Sequence, residues 1–220
     1  MDNAFILKHV DHTLLTATAT WQEIGKLCDE ALEFNTASVC VPPCYIKRIR
    51  EAYPELTICT VIGFPLGYSV NSVKAAEAQA AIGDGADELD MVVNISDVKN
   101  GAFDKVESEI VTLKKLAGER ILKVIVETCY LTTDEKIAMC HAVTNAGADY
   151  IKTSTGMGSR GATMEDVIVF RKHIGPGVKI KAAGGIRIRE DMVAFLDAGC
   201  SRLGTSSAVK LLTGGAAQGY

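Results

Sequence analysis

A short unit recurs along the chain and restricts the folds that the chain can adopt. Three times a helical pattern ends in glycine, and a short apolar run follows within three residues: Gly85-Ala86-Asp87, Gly147-Ala148-Asp149 and Gly199-Cys200-Ser201. A weaker copy is Asn35-Thr36-Ala37. Glycine and asparagine tolerate the left-handed backbone that ends a helix, so each copy marks a junction between a helix and a strand.

Helices and strands alternate along the whole chain of 220 residues. Capping boxes at Thr20–Glu23 and Thr132–Glu135 predict two helix starts. Short apolar runs predict eight strands, at 9–15, 38–41, 58–64, 88–93, 121–128, 150–155, 178–185 and 201–206. Strand–helix alternation implies parallel strands buried on both faces. We therefore predict an α/β fold, a single-domain (β/α)8 TIM barrel over 1–220 with a flexible tail at 214–220. A doubly wound open sheet is the alternative, but no unit marks an edge or a reversal.

The composition of the chain limits the classes of partner and the cellular compartments that are compatible with it. Hydrophobic residues make up 48% of the chain, which excludes wholesale disorder, and a net charge of −4 argues against nucleic acid as a partner. No apolar run approaches the ~18 residues of a membrane span, and the N-terminus lacks the features of a secretory signal. The seven cysteines form no C-x-x-C pair, which is typical of reduced thiols. We expect a cytoplasmic protein, and a homodimer is compatible with the sequence.

Charged residues interrupt strands that should be apolar. Asp90, Lys123, Lys152 and Lys181 lie within predicted strands 4, 5, 6 and 7. Alternation along a strand places Lys152 and Lys181 on the faces opposite their neighbours Ile151 and Ile180, which suit the helix-packed outside. We therefore predict that Lys152, Lys181 and Asp90 point into the barrel, with the two lysines close together on adjacent strands.

Two interpretations of these charges are open. A structural ion pair inside the barrel is one. The other begins from the imbalance between one carboxylate and two or three buried ammonium groups, which is relieved if one lysine loses its proton. Lowering a lysine pKa from ~10.4 to ~7 takes about 4–5 kcal/mol, which desolvation and a neighbouring cation can supply. A neutral amine is the nucleophile of Schiff-base chemistry. From spacing alone, either Lys152 or Lys181 fits that role.

Glycine-rich strand ends predict a phosphate site beside the lysines. Strand 7 ends in Gly184-Gly185, strand 8 in Gly204-Thr205-Ser206-Ser207, and Gly156 follows strand 6. Barrels often bind phosphate with the loops after strands 7 and 8, where glycine lets backbone N–H groups approach an anion. Tight strand–helix turns are the alternative reading of the same residues.

The remaining polar groups argue against a metal enzyme. The four histidines form no metal-binding motif, and Cys40 and Cys44 are poorly spaced as ligands. Asp11-His12-Thr13 on strand 1 is the best remaining cluster. It fits a substrate contact, a counter-charge for Lys181 or a hydrogen-bonded strand end.

Motifs on five strands resemble the 2-deoxyribose-5-phosphate aldolase family, which uses class I Schiff-base chemistry. They span nearly the whole chain in order: Asp11-His12-Thr13, the segment 88–94 (ELDMVVN), the segment 123–128 (KVIVET), the segment 151–156 (IKTSTG) and the segment 181–187 (KAAGGIR).

The resemblance implies a role for each matching residue. Lys152 would be the Schiff-base lysine, Lys181 the cation that lowers its pKa, and Asp90 the proton shuttle. Residues that would bind substrate, most of them at its phosphate, are Asp11, Cys40, Thr155, Gly156, Gly184, Gly185, Gly204 and Ser206. Some members have a phosphate-binding lysine after the strand-6 glycine; Met157 stands there, and Arg160 is the candidate replacement. The terminal Tyr220 matches a tyrosine of some members.

The activity implied is reversible cleavage of 2-deoxy-D-ribose 5-phosphate to D-glyceraldehyde 3-phosphate and acetaldehyde, with a phosphosugar as partner and without metal or organic cofactor. Two rival functions share the barrel. One is a metal-free phosphosugar isomerase or epimerase with Asp90 as its base, and the other is a non-catalytic phosphoester-binding barrel.

Overall fold

Eight parallel strands close into one barrel in the computed structural model, which describes residues 1–214. The strands are β1 Val10–Thr13, β2 Ser38–Val41, β3 Ile58–Ile62, β4 Glu88–Val92, β5 Ile121–Ile125, β6 Tyr150–Lys152, β7 Lys179–Ala183 and β8 Arg202–Thr205. Each strand pairs with the next along the chain, and β8 returns to β1. The predicted (β/α)8 barrel is confirmed, and the open-sheet alternative is excluded because Val10 lies opposite Leu203.

Ten α-helices surround the barrel within these residues. They are α1 Asn3–Leu7, α2 Trp21–Phe34, α3 Ile46–Ala52, α4 Asn71–Gly83, α5 Ile95–Lys99, α6 Phe103–Ala117, α7 Thr133–Asn145, α8 Met164–His173, α9 Arg189–Asp197 and α10 Ala208–Thr213. Short 3-10 helices follow β2 and β5, at Pro43–Tyr45 and Thr128–Tyr130. Both predicted capping boxes are present, at the starts of α2 and α7.

The repeated junctions have a hydrogen-bonding function in the barrel. Asn35 and Gly147 have positive φ angles of 51° and 70°, as predicted for residues that end a helix. The aspartate of the unit then reaches the preceding strand: Asp87 accepts from the N–H of Ile58 at 2.8 Å, and Asp149 from the N–H of Leu122 at 2.8 Å. In these two of the four copies, the aspartate therefore satisfies a backbone donor of its neighbouring strand.

The apolar core lies between the barrel and the helices. Ile151 and Ile180 are buried there with Phe170 of α8, which confirms their predicted outward direction. Burying a side chain of this kind contributes about 1.5–3 kcal/mol. A second, smaller cluster of Leu15, Cys40, Cys59 and Val61, with Phe64 against it, lies apart from this core.

The structure bears on the predicted absence of a membrane span, but it does not describe most of the predicted tail. In residues 1–214, no helix combines the length and the apolarity that crossing a membrane requires. The predicted tail 214–220 begins at Gly214, which follows α10 with a φ of 101°. Residues 215–220, including Tyr220, lie outside the described residues, so the flexible tail stays a prediction. The cytoplasmic location stays a prediction as well, because a structure of the chain does not test it.

One buried ion pair joins α4 and α6 to the end of β4. Lys74 is fully buried, and its Nζ donates to the Val92 carbonyl and to Glu109 Oε1, both at 2.8 Å. Burial lowers the pKa of Lys74 and raises the pKa of Glu109, although the attraction between the two groups opposes both shifts. The pair fixes the strand end two residues beyond Asp90.

We expect Lys74→Met to lower the free energy of unfolding by about 3–5 kcal/mol, because it leaves the Glu109 carboxylate buried without its cation. Urea unfolding measures the change. The control Lys105→Met removes a pair with Asp97 in which Lys105 is 70% exposed, and should cost under about 1 kcal/mol. Adding Glu109→Gln to Lys74→Met should recover part of the loss; equal effects of Lys74→Met and Lys105→Met would contradict the prediction.

Candidate active site

Asp90, Lys152 and Lys181 meet inside the barrel. Lys152 and Lys181 lie opposite each other on β6 and β7. Lys152 Nζ is 2.8 Å and Lys181 Nζ 2.6 Å from the same atom, Asp90 Oδ2. Side-chain exposure is 4% for Lys152 and zero for the other two. The side-chain directions derived from strand alternation therefore match the structure.

Lys123 also points into the barrel and shares the same carboxylate. Its Nζ is 2.7 Å from Asp90 Oδ1, and Lys123 lies opposite Asp90 in the strand register. Three lysine side chains thus surround one aspartate. That arrangement alone would leave a large excess of positive charge in a space that water does not reach.

Asp11, Glu88 and Arg202 supply the missing charges. Lys123 Nζ is 2.7 Å from Glu88 Oε2, and Lys181 Nζ is 2.5 Å from Asp11 Oδ2. Arg202 joins these two carboxylates: it donates to Glu88 Oε1 at 2.8 Å and also to Asp11 Oδ1. The sequence reasoning did not identify Glu88 or Arg202, although Glu88 shares strand parity with Asp90, which was predicted to point inward.

These contacts close a ring of six alternating charges, which we call the charge ring. In order around it stand Asp90, Lys181, Asp11, Arg202, Glu88 and Lys123. Three carboxylates and three cations balance within the charge ring. Lys152 contacts it at Asp90 and has no carboxylate of its own among residues 1–214. The sequence predicts one carboxylate against several lysines; the structure has three carboxylates and a single surplus cation.

The charge ring keeps its members ionised. Burial alone would raise the pKa of Asp90, but Lys123, Lys152 and Lys181 together hold it well below its usual value. Burial alone would lower the pKa of Lys181, but Asp11 and Asp90 raise it. The pKa of Lys123 is raised in the same way. Protonating a carboxylate or deprotonating a cation of this set would leave its partner uncompensated.

An open cleft lies above the charge ring, at the carboxyl ends of the strands. Its lining includes seven of the predicted site residues: Lys152, Thr155, Gly156, Gly184, Gly185, Gly204 and Ser206. They come from the loops and strand ends of β6, β7 and β8, as predicted for a phosphate site. Thr13 of the strand-1 cluster and Ser207 of the predicted strand-8 phosphate loop also line it. Two further lining residues, Leu15 and Arg187, had been given no individual role.

Asp11 and Cys40, predicted to contact substrate, do not line this cleft. Asp11 is fully buried, two residues below Thr13 on the same face of β1, and it contacts Lys181 and Arg202. Cys40 belongs to the apolar cluster with Leu15 and Val61. Of the three readings of the strand-1 cluster, a counter-charge for Lys181 describes Asp11. His12 points the other way and bonds Glu30 at 2.8 Å.

Arg160, the candidate replacement for a phosphate-binding lysine, lies beside Asp166. Its guanidinium pairs with Asp166 Oδ2 at 2.7 Å and does not line the cleft, so its role at the phosphate stays a prediction. Asp166 is buried and also accepts from Lys136 at 2.6 Å; these partners hold its pKa at about 2, against the effect of burial. Arg187, which is exposed, lines the cleft as a second basic side chain besides Lys152.

The loop after β6 is held tightly against the β7 turn. Glu127, which follows β5, holds the start of this loop: it is buried, with φ 50°, and accepts from the N–H of Thr155 at 3.2 Å and from its hydroxyl.

Farther along the loop, the contact with the β7 turn is close: a Cβ on Gly161 would lie 2.1 Å from the Gly184 carbonyl oxygen. Only glycine permits that approach, and it brings the two loops together as one wall of the cleft.

Comparison with known proteins identifies the class. A family model described as DeoC/LacD family aldolase matches residues 5–216. The charged barrel interior and this match define an aldolase, an enzyme that makes and breaks carbon–carbon bonds.

The relatives narrow the class to a family. A deoxyribose-phosphate aldolase of Clostridium botulinum (strain Alaska E43 / Type E3) is 64% identical over 221 residues, 100% of both chains. One of Clostridioides difficile (strain 630) is 57% identical and covers 94% of this chain and 95% of its own. The chain belongs to the DeoC/LacD family of aldolases.

Solved structures agree with this assignment. A putative deoxyribose-phosphate aldolase from Coccidioides immitis superposes with a TM-score of 0.93 at 39% identity, over 97% of this chain and 86% of that one. The enzyme from Aeropyrum pernix, described as tetrameric, gives 0.90 at 33% identity, over 96% and 91%.

We expect Gly161→Ala to weaken the binding of inorganic phosphate to the cleft by about tenfold or more, which corresponds to about 1.4 kcal/mol. The added methyl group would overlap the Gly184 carbonyl and push the two loops apart. Calorimetric titration measures the affinity. Gly177→Ala is the matched control, because a Cβ there meets nothing within 4 Å. Equal phosphate affinity in the two variants would show that this loop contact does not shape the site.

Proposed function

We propose that this aldolase cleaves 2-deoxy-D-ribose 5-phosphate reversibly to D-glyceraldehyde 3-phosphate and acetaldehyde, through a Schiff base on Lys152. The position of Lys152 is the observation that carries the proposal. It is the surplus cation beside a balanced charge ring, and it lines the cleft that substrate can enter. The names of the relatives supply the substrate.

The charge balance favours Lys152 over Lys181 as the nucleophile. Lys181 lies between Asp11 and Asp90, so losing its proton would leave two buried carboxylates short of a cation. Lys152 shares the single atom Asp90 Oδ2 with Lys181, and its loss of a proton makes the barrel interior neutral. A neutral amine can attack a carbonyl carbon.

In the proposed reaction, the Lys152 nitrogen is positively charged in the iminium and neutral in the amine and the enamine. Lys152 adds to the aldehyde carbon C1 of the open-chain sugar and forms a neutral carbinolamine. A proton from solvent then converts the carbinolamine hydroxyl to water, and its departure leaves an iminium cation beside Asp90; the final hydrolysis returns that proton. A base removes the proton of the C3 hydroxyl, the C2–C3 bond breaks, and its electron pair neutralises the iminium as an enamine. Glyceraldehyde 3-phosphate leaves; protonation of the enamine at carbon and hydrolysis then release acetaldehyde and Lys152.

Asp90 is suited to assist these steps. It lies within hydrogen-bond distance of the reacting nitrogen, and its negative charge stabilises the iminium that replaces the ammonium. Its role as the proton shuttle stays a prediction, because the three lysines that hold its pKa well below the usual value make it a weak proton acceptor. We assign the phosphate end of the substrate to the glycine loops, the hydroxyls of Ser206 and Ser207, and Arg187.

Lys152→Ala should abolish turnover, and also the covalent adduct that borohydride traps when the enzyme is mixed with 2-deoxyribose 5-phosphate. Mass spectrometry of the digested wild-type enzyme should place the adduct on Lys152. Lys172→Ala, which removes an exposed lysine of α8, is the control and should retain both. Turnover without any adduct would favour an isomerase or epimerase, and phosphosugar binding without turnover a binding protein; either result would overturn the proposal.

Lys181→Leu should shift the acid limb of the pH–rate profile to higher pH by about one unit. Removing a positive charge next to Lys152 favours the protonated amine, so a higher pH is needed to obtain the neutral nucleophile. Initial rates from acidic to alkaline pH measure the limb, with Lys172→Leu as control. A lower rate with an unmoved limb would show that Lys181 does not set the charge of Lys152.

A further inference from the structure

We propose that Arg202 and Glu88, on the far side of the charge ring from Lys152, set the pH range over which Lys152 is uncharged. This inference rests on the proposed Schiff-base function of Lys152. Neither Arg202 nor Glu88 lines the cleft or contacts Lys152 among the described residues. They are positioning residues that act through the ions between them and the nucleophile.

Arg202 is built into the barrel as a fixed charge. Its side chain is 13% exposed, and it donates to both oxygens of Glu88, at 2.8 and 3.2 Å, as well as to Asp11. A guanidinium stays protonated throughout the working range of proteins and matches a carboxylate with two parallel donors. Arg202 therefore neutralises one of the two negative charges on Asp11 and Glu88 throughout this pH range.

The charge of Arg202 determines the net charge that the carboxylates and the lysines of the interior have together. With Arg202 present, the charge ring is neutral and the Lys152 proton is in excess. Without Arg202, three carboxylates face two ring lysines, and the proton on Lys152 restores neutrality. Without the charge of Glu88, two carboxylates face three ring cations, and the Lys152 proton becomes a second excess charge. The two changes push Lys152 in opposite directions.

Other titratable groups face the same interior. Cys40 and Cys59 lie on β2 and β3, with Cys59 Sγ 3.1 Å from Asp90 Oδ1, and Tyr150 is buried on β6. Burial raises the pKa of Cys59, and a hydrogen bond from Cys59 lowers that of Cys40. Lys179 stands at the solvent-exposed start of β7. Substituting Arg202 or Glu88 alters the interior charge by one regardless of these groups, so the direction of each effect is unchanged.

The test compares the acid limb of the pH–rate profile, and of borohydride trapping on Lys152, in four variants. Arg202→Gln should move the limb to higher pH by about one unit, and Glu88→Gln should move it to lower pH by a similar amount. The double variant restores the charge balance and should lie near the wild type. Arg202→Lys keeps the charge and should leave the limb in place.

The outcomes separate this inference from the function on which it rests. Absence of an adduct in the wild type overturns the proposed function. An adduct in the wild type with limbs that stay fixed, or move the same way in Arg202→Gln and Glu88→Gln, overturns the inference and leaves a structural role for Arg202. Circular dichroism checks folding; should Arg202→Gln fail to fold, the shift of Glu88→Gln decides, and its absence or reversal overturns the inference.

Discussion

Asp90 accepts three lysine side chains, and the remaining structure makes that arrangement tolerable. Burying charge is costly unless every charge has partners, and removing one partner of a buried pair leaves the other uncompensated. Arg202, Asp11 and Glu88 provide those partners by closing the charge ring. Lys152 is the exception, placed where the ring meets the cleft. Its position, rather than any unusual feature of its own strand, distinguishes it from Lys123 and Lys181.

The barrel supplies what a ring of this kind requires. Alternation along each strand sends one set of side chains inward and packs the other against helices, so Ile151 and Lys152 are both buried but in different surroundings. Closure through β1 and β8 brings Asp11 to Arg202. The loops after the strands are free to differ, and here those after β6, β7 and β8 form the cleft.

The sequence was informative wherever a rule operates within one strand or one junction. Parity correctly pointed Asp90, Lys152 and Lys181 inward, and the junction units with their capping boxes led to eight strand–helix repeats. It was uninformative wherever a contact joins distant elements. Arg202 and Glu88 lie at strand starts, where a charged residue usually faces solvent, and their partnership depends on how far the barrel closes. The pair of Arg160 with Asp166 was not foreseen, because Asp166 comes from the next helix.

The distribution of the interior charges along the chain has its own consequence. All three carboxylates of the charge ring lie on β1 and β4, whereas its cations and Lys152 lie on β5 to β8. The inner face of the N-terminal half of the barrel therefore carries a net negative charge, and the inner face of the C-terminal half carries a net positive charge. Neither half can bury that face alone without strong self-repulsion, whereas the two attract one another. Closure of the barrel through β1 and β8 therefore brings two inner faces of opposite charge together, and each neutralises the other.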